Sequence, residues 1–423
     1  MTLRFLTAGE SHGQSLVAIL DGMPAGLVID TQEISSQMQA RQQGFGRGAR
    51  QKIEADVAEI LSGVRHGITT GAPITLVVKN RDFENWQHVM STSAVDETAA
   101  PVQEQLVKKN IAKFRPGHAD LAGTIKFHHS DIRNVLERAS ARETAARVAV
   151  GAVCQQLLSA CGVKIVSHVI SLGPLSVSAE RLDSDLIDLD QLASRVDVSE
   201  MFCADEATSE AMKAHVKSAW QEGDSVGGVV EVLVDGLPVG LGSYTQWDSR
   251  LDGQLAQAVM SVQAMKAVEI GDGVQSASQP GSKVHDALYP NEGGACGLPF
   301  RRITNHAGGI EGGMSNGARL RLRAYMKPIP TMRKGLPSVS FPEFAADTAH
   351  YERADVCAVP AAAMVVKAMT AFVLARAILE KFGGDALDAI QDSLQEYRSY
   401  CAGLAKQDAA AVAGELPSQM ELE

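Results

Sequence analysis

The amino-acid sequence predicts an α+β fold, and three observations carry that expectation. Strand-like and helix-like runs are mixed along the whole chain. One strand-and-turn pattern occurs twice, far apart. The segment 360–382 is apolar almost all round, which is what a helix covered on every side requires.

Strand-like runs fall at 15–20, 53–61, 73–78, 163–170 and 229–234. The run 319–324 alternates, with Leu320 and Leu322 on one side and Arg319, Arg321 and Arg323 on the other, the period of a half-exposed strand. Helix-like runs fall at 31–42, with Thr31 a good N-cap, and at 132–160, 209–221 and 249–265. The last repeats Leu251, Leu255, Val259 and Val262 at helical spacing. The repeated pattern joins Ile19-Leu20 to Asp21-Gly22-Met23-Pro24-Ala25-Gly26-Leu27, and Leu233-Val234 to Asp235-Gly236-Leu237-Pro238-Val239-Gly240-Leu241. Asp-Gly and Pro supply turn geometry. The echo reads either as two related β units about a pseudo-two-fold or as two independent hairpin turns. Segment 360–382 carries Lys367 and Arg376 in its interior and ends at Gly383-Gly384, as at a helix C-cap. Charges deep in a membrane span are costly, so a buried core helix is expected. No Pro/Ser-rich linker divides the chain. The stretch 275–299 is rich in Gly, Pro and Ser and reads as a long loop, and the tail after Gly384 is acidic and Ala-rich.

Of 423 residues, 45% are hydrophobic and 21% charged, an ordinary soluble composition. The net charge is -11, and an acidic chain does not sit unaided on nucleic acid or an anionic membrane. Any anionic ligand must therefore be held by a local cationic cluster. Cys154, Cys161, Cys203, Cys296, Cys357 and Cys401 form no C-x-x-C pair and no zinc spacing. They read as buried free thiols in a reducing cytosol. The N-terminal residues carry neither signal-peptide nor transit-peptide features, so a cytoplasmic location is expected.

Four segments combine glycine with charged residues in ways a core does not need. Gly9-Glu10-Ser11-His12-Gly13 presents His12 in a tight bend, as a proton-transfer group or as a merely solvated histidine. Ser11 there matches G-x-S-x-G, as do Ser225 and Ser315, a weak signal in a glycine-rich chain. The second segment places Arg41, Arg47, Arg50 and Lys52 together without an acid among them. Arginines offer forked donors to phosphate or carboxylate; a solvated loop and an RNA-binding stretch are the alternatives. The third runs from Arg115-Pro116-Gly117-His118-Ala119-Asp120 to Arg138-Ala139-Ser140-Ala141-Arg142. On a continuous helix Arg138 and Arg142 share a face and, with Ser140, form an anion clamp; ordinary pairing with neighbouring acids is the bland reading. His128 and His129 read as surface. The fourth combines a glycine-rich bed at 308–313 with 327–331 and 352–355. No Rossmann or P-loop spacing occurs. Residue chemistry alone reaches a polyanionic small molecule and a phosphate-bearing cofactor, and does not name the reaction.

At these same segments, in the same order, the chain resembles the chorismate synthase family (5-enolpyruvylshikimate-3-phosphate phospholyases). The motifs are Gly9–Gly13, 115–120, 138–144, 308–313 and 327–331, and the likeness spans roughly 3–382. The resemblance implies one domain over 1–423, with the tail after about 384 peripheral, folded as a β-α-β sandwich of helices between two antiparallel sheets. It implies a lyase that makes chorismate by 1,4-anti elimination of phosphate, the last common step of the shikimate pathway, with reduced FMN required. His12 is then the acid for the leaving phosphate, His118 the group beside the flavin, and Asp355 the base. Ser11, Arg41, Arg47, Arg115, Arg142 and Arg353 hold substrate. The flavin bed comprises Arg41, Arg47, Arg138, Ala139, Ser140, Gln263, Ala264, Gly312, Lys327, Pro328, Ile329, Pro330, Thr331 and Arg353. The family is usually homotetrameric, and NADPH or an external flavin reductase supplies the reducing equivalents. No metal, nucleic acid or membrane is implied. The chain departs from the usual family residues at Ala139, Gln263 and Ala354, which bears on the flavin contacts. A serine hydrolase using Ser11 and an anion- or RNA-binding protein using 41–52 are the competing readings.

Overall fold

The computed structural model describes residues 2–47, 56–290, 298–351 and 355–404. The first main sheet contains β1 (Arg4–Ala8), β2 (Ser15–Asp21), β3 (Ala58–Ser62) and β4 (Ile74–Lys79), in the order β1-β2-β4-β3 with antiparallel neighbours. The second contains β5 (Lys164–Leu172), β6 (Gly228–Asp235), β7 (Met265–Ile270) and β8 (Leu320–Met326). Its order is β5-β6-β8-β7, also antiparallel, with the short strand Leu175–Ser176 beyond β5. Each half thus lays its four strands down in the spatial order first, second, fourth, third.

Ahead of α3 (Thr144–Ala160), α2 (Arg133–Ala139) packs in a separate small core with Ile111 and Phe114, while α1 (Thr31–Gln42), α3, α4 (Leu251–Met260) and α5 (Val359–Phe382) lie between the sheets, with α6 (Leu387–Gly403) at one end. Alternate residues of the strands face inward and are buried: Leu16, Ala18 and Leu20, with Leu76 and Val78, in the first sheet, and Val230, Val232, Leu320 and Leu322 in the second. α3 covers β2 and β4, α5 covers β5 and β6, and the two helices pack on each other. This is the expected β-α-β sandwich. Their crossing is tight at Gly151, where an added Cβ would stand 2.4 Å from the Cα of Ala368. α5 has the length and composition of a membrane span, but 89% of its most apolar window is buried inside the protein. Its interior charges are accommodated. Arg376 donates to Gln254 of α4 at 3.0 Å, and burial pushes the Lys367 ammonium down to about 8 despite the attraction of Glu33 and Asp197.

The sequence echo is a structural repeat. Each copy follows the second strand of its sheet, and each turn glycine takes positive φ: Gly22 and Gly26 at +92° and +90°, Gly236 and Gly240 at +84° and +79°. Each copy is bound by one distant hydroxyl. Thr69 Oγ1 donates to the Pro24 carbonyl at 2.6 Å and accepts from the Leu27 N–H at 2.9 Å. Ser315 Oγ donates to the Pro238 carbonyl at 2.6 Å and accepts from the Leu241 N–H at 2.8 Å. With the matching strand orders, these paired contacts favour two related β units over two independent turns.

Several local expectations are corrected. Asp30, not Thr31, is the N-cap of α1, its carboxylate accepting from the backbone of Gln32 and Glu33. The 132–160 run is two helices, because Ser140 is extended (φ -62°, ψ 141°) and its hydroxyl caps the turn at Arg142. The 249–265 run stops at Met260, and Ala264, at φ +68°, turns the chain into β7. The arginine side of 319–323 does not face water. Arg319 pairs with Asp235, Arg321 with Asp185 and Asp272, and Arg323 with Glu231. Within the 275–299 stretch, Leu288–Pro290 is a strand paired with Phe300–Arg302. Beyond Gly384, Ile390 and Leu394 of α6 join the main core. Five cysteines are free and buried; Cys296 lies outside the described residues.

Thr69→Val and Ser315→Ala each strand a buried carbonyl and N–H, so each is expected to lower stability by about 1–3 kcal/mol. Thr69→Ser should stay near wild type. Urea unfolding of the three variants checks this.

Candidate active site

A cavity of about 570 Å³ opens where the two halves meet. In the first half it is lined from the β1–β2 connection (Ser11, His12), the end of α1 and the residues after it (Arg41, Arg47), and the connection from β4 to α3 (115–119 and 139–142). In the second half it is lined from the α4–β7 connection (260–266) and the connection from β8 to α5 (327–331 and Asp355). These are corresponding connections of the two repeats. The start of α5, with Ala361, Ala362 and Val365, adds an apolar wall. Among the described residues, Arg41, Arg47, Arg115, Arg142, Lys266 and Lys327 line the space against one acid, Asp355. The local field is therefore cationic in a chain of net charge -11.

Carboxylates behind the wall hold these groups in place. Glu137 accepts from the His12 backbone N–H at 2.8 Å and meets His12 Nδ1 at 2.9 and 3.0 Å. Burial alone would raise the Glu137 pKa, but hydrogen bonding and charge from His12, with the charge of Arg133, hold it below its ordinary value. An ionised Glu137 accepts only, so the proton sits on Nδ1 and Nε2 is left for exchange. Asp120 receives Arg115 through Nε at 2.8 Å and a terminal nitrogen at 3.0 Å, and meets His118 Nδ1 at 2.6 Å. The 3.1 Å approach of Arg115 to the same Nδ1 is no hydrogen bond once that nitrogen carries the proton for Asp120. Against desolvation, the hydrogen bonds from His118 and Arg115 bring Asp120 down to about 2. Asp56 bridges Arg41 at 2.7 Å and Arg142 at 2.5 Å. Burial lowers the Arg41 guanidinium to about 10, which leaves it charged at neutral pH. Arg47 pairs with Asp355 at 2.7 Å. Asn80 accepts from Arg142 Nε at 3.0 Å and donates to the Glu10 and Gly13 carbonyls, which ties this arginine to the His12 bend.

The cavity gathers most of the sequence-predicted residues: Ser11, His12, Arg41, Arg47, Arg115, His118, Ala139, Ser140, Arg142, Gln263, Ala264, Lys327, Ile329, Pro330, Thr331 and Asp355. Pro328 lies within the same run. Ser225 Oγ donates to the Ile329 carbonyl at 2.6 Å, and Lys327 to the Gly117 carbonyl, so the run is anchored to both halves. Gln263 donates to the buried Glu143 at 3.2 Å. Arg138 and Gly312 do not line the cavity. The break at Ser140 turns Arg138 away from Arg142, and it donates to Thr7 and Gly9 instead, so the two do not form the expected clamp. Arg353, like Arg50 and Lys52, lies outside the described residues.

The competing readings lose their geometry here. Ser11 is buried, its hydroxyl accepting from Ser140 Oγ at 3.2 Å and its backbone N–H donating to the Glu137 carbonyl at 3.1 Å. Ser225 and Ser315 tie down backbone. Arg41 is 4% exposed and faces Asp56, unsuited to an RNA backbone. His128 is exposed and His129 half-buried, and no metal-binding group of His, Cys, Asp and Glu occurs among the described residues. Sequence reading missed Asp56, Asn80 and Glu137, and quoted Asp120 without a role. The only local signal is the i,i+4 spacing of Arg133 and Glu137.

The family model for chorismate synthase matches residues 3–379. The chain is 51% identical over 398 residues to the chorismate synthase of Moorella thermoacetica, covering 94% of this chain and 99% of the relative. It is 49% identical over 403 residues to that of Geobacter sulfurreducens, with the same coverage. A crystal structure of a chorismate synthase superposes with a TM-score of 0.75 at 39% identity, over 96% of this chain and 99% of the other.

A carboxyl depressed to about 2 adds stability in full above its unfolded value near 4, and loses it as the pH falls through 2. The gap in unfolding free energy between wild type and Asp120→Asn is therefore expected to shrink by about 2 kcal/mol between pH 5 and pH 2. Urea titrations across that range test it; a constant gap would contradict the assignment.

Proposed function

The chain belongs to the chorismate synthase family, carbon–oxygen lyases acting on phosphates, and on that premise we propose its reaction in detail. It removes phosphate from 5-enolpyruvylshikimate-3-phosphate by 1,4-anti elimination, giving chorismate, with reduced FMN in the site. The observation that carries this reading is the convergence of Arg41, Arg47, Arg115 and Arg142 with His12 and His118 on one cavity. The substrate bears a phosphate and two carboxylates, and such a set of fixed cations stabilises charge as the phosphate leaves.

In this reading His12, anchored through Nδ1, offers Nε2 to the departing phosphate as its acid. Asp355, oriented by Arg47, takes the ring proton. His118, anchored on Asp120, presents its other nitrogen to the cofactor side. The residues present fit a flavin mononucleotide. Arg41 Nε, Arg47 Nε and Gln263 Oε1 are buried without a hydrogen-bond partner, and Ala139, Val262, Ala264 and Ile329 give apolar surface for a flat ring system. Arg41, Arg47, Ser140, Gln263 and the run 327–331 would hold it, joined by Arg353. When bound, reduced flavin lends electron density to the breaking C–O bond and recovers it at the end. NADPH or an external flavin reductase supplies the reduced cofactor to a cytoplasmic enzyme. Self-association as a homotetramer is supported by the outer face of the first sheet, where Leu6 is 75% exposed and its cross-strand neighbour Ile19 is 43% exposed. Exposed apolar sheet faces of this kind mark contact surfaces.

An anaerobic assay with the phosphorylated substrate and chemically reduced FMN should release chorismate and phosphate in equal, flavin-dependent amounts. No product from folded protein would falsify the reading. His12→Ala and Asp355→Ala are each expected to cut turnover by about 10²–10⁴ while FMN binding, followed by flavin fluorescence, stays mostly intact. Leu6→Asp combined with Ile19→Asp should lower the mass seen in sedimentation without unfolding the chain.

A further inference from the structure

We infer that Trp86 is a positioning residue for His12, acting jointly with Glu137; the inference deepens the role of His12 proposed above and rests on it. Trp86 follows the 3₁₀ turn Arg81–Asn85 and is 5% exposed. Its indole N–H donates to Asp82 at 3.0 Å, which fixes the ring's orientation. The His12 imidazole lies nearly parallel to it, with centroids 3.8 Å apart and an interplanar angle of 22°. The Lys109 ammonium stands 3.6 Å from the indole centroid and the Arg133 guanidinium 4.9 Å from it. With imidazole stacked so closely on one face, the ammonium must occupy the other. An electron-rich indole suits both neighbours.

The contacts close into one unit. Arg133 donates to Glu137 at 2.8 Å and to the Lys109 carbonyl, where the helix Ala100–Lys109 ends. Glu137 grips His12 in the plane of its ring, and Trp86 bounds the ring from above. The first contact selects the tautomer. The second stops the ring from rocking about the Nδ1–Glu137 contact, so Nε2 keeps one position in the cavity. Misplacing a reacting atom by about 1 Å costs about 10²-fold in rate.

The test uses the full chain with Trp86→Leu, Trp86→Phe and Glu137→Gln. Steady-state kinetics are run anaerobically with reduced FMN, and ring-nitrogen NMR of ¹⁵N-histidine-labelled protein is recorded, with His12 identified by its loss in His12→Gln. Trp86→Leu is expected to lower kcat about 10²-fold with KM within about twofold, since only transition-state geometry is lost. Trp86→Phe should restore most of that loss. The His12 signals should report one tautomer, protonated on Nδ1, in wild type, a mixture in Glu137→Gln, and the wild-type tautomer with exchange broadening in Trp86→Leu. Wild-type kcat in Trp86→Leu would overturn the inference. So would equal losses in the Leu and Phe variants with unchanged His12 signals, which mark a purely structural role. A wild-type chain that makes no chorismate defeats the proposed reaction alone, because the NMR comparison still decides whether Trp86 and Glu137 fix the ring.

Discussion

The contact of α3 with α5 at Gly151 and Ala368 is the constraint on which the rest of the molecule depends. Each helix carries one sheet, so their separation sets the distance between the two sheets. It also sets the cavity, because α3 begins beside Arg142 and the first turns of α5 form the apolar wall. A side chain at residue 151 would wedge the halves apart, and overpacking of this kind typically costs about 1–3 kcal/mol. The same displacement would move Arg47 and Asp355, which belong to different halves and meet at 2.7 Å.

The cations of the site are arranged by buried acids rather than by solvent. Asp56, Asp120 and Glu137 are nearly inaccessible, and each fixes two functional groups. Burying so many charges is not an efficient way to stabilise a fold. Its return is preorganisation, since donors already aimed at a ligand need no reorientation when charge develops on it.

Much of the fold was legible because alternation and helical spacing are local. Strands at 15–20, 73–78 and 229–234 were placed within a residue or so of β2, β4 and β6. The errors arose where a side chain redirected the backbone: Asp30 capping α1, Ser140 splitting the 132–160 run, Ala264 turning left-handed after α4. The histidines and arginines of the site were legible because glycine and clustered charge mark them. Their partners were not. Asp56 reaches Arg142 across 86 positions and Glu137 reaches His12 across 125, and an isolated acid carries no sign of such a pairing. The arginines at 319–323 were placed on the correct side of their strand, yet the facing acids that neutralise them come from loops and neighbouring strands.

The late position of α5 has a consequence for biosynthesis. Synthesis runs from the N-terminus at roughly 5–20 residues per second. The helix that fills the centre is completed only at Phe382, so roughly 20 to 80 s pass before the inner faces of both sheets can be fully covered. During that interval the nascent chain holds apolar strand surfaces with no mate. The second sheet is therefore the part of the nascent chain that stays open longest and most needs shielding by a chaperone, whereas α3 can cover the first sheet once Ala160 is made.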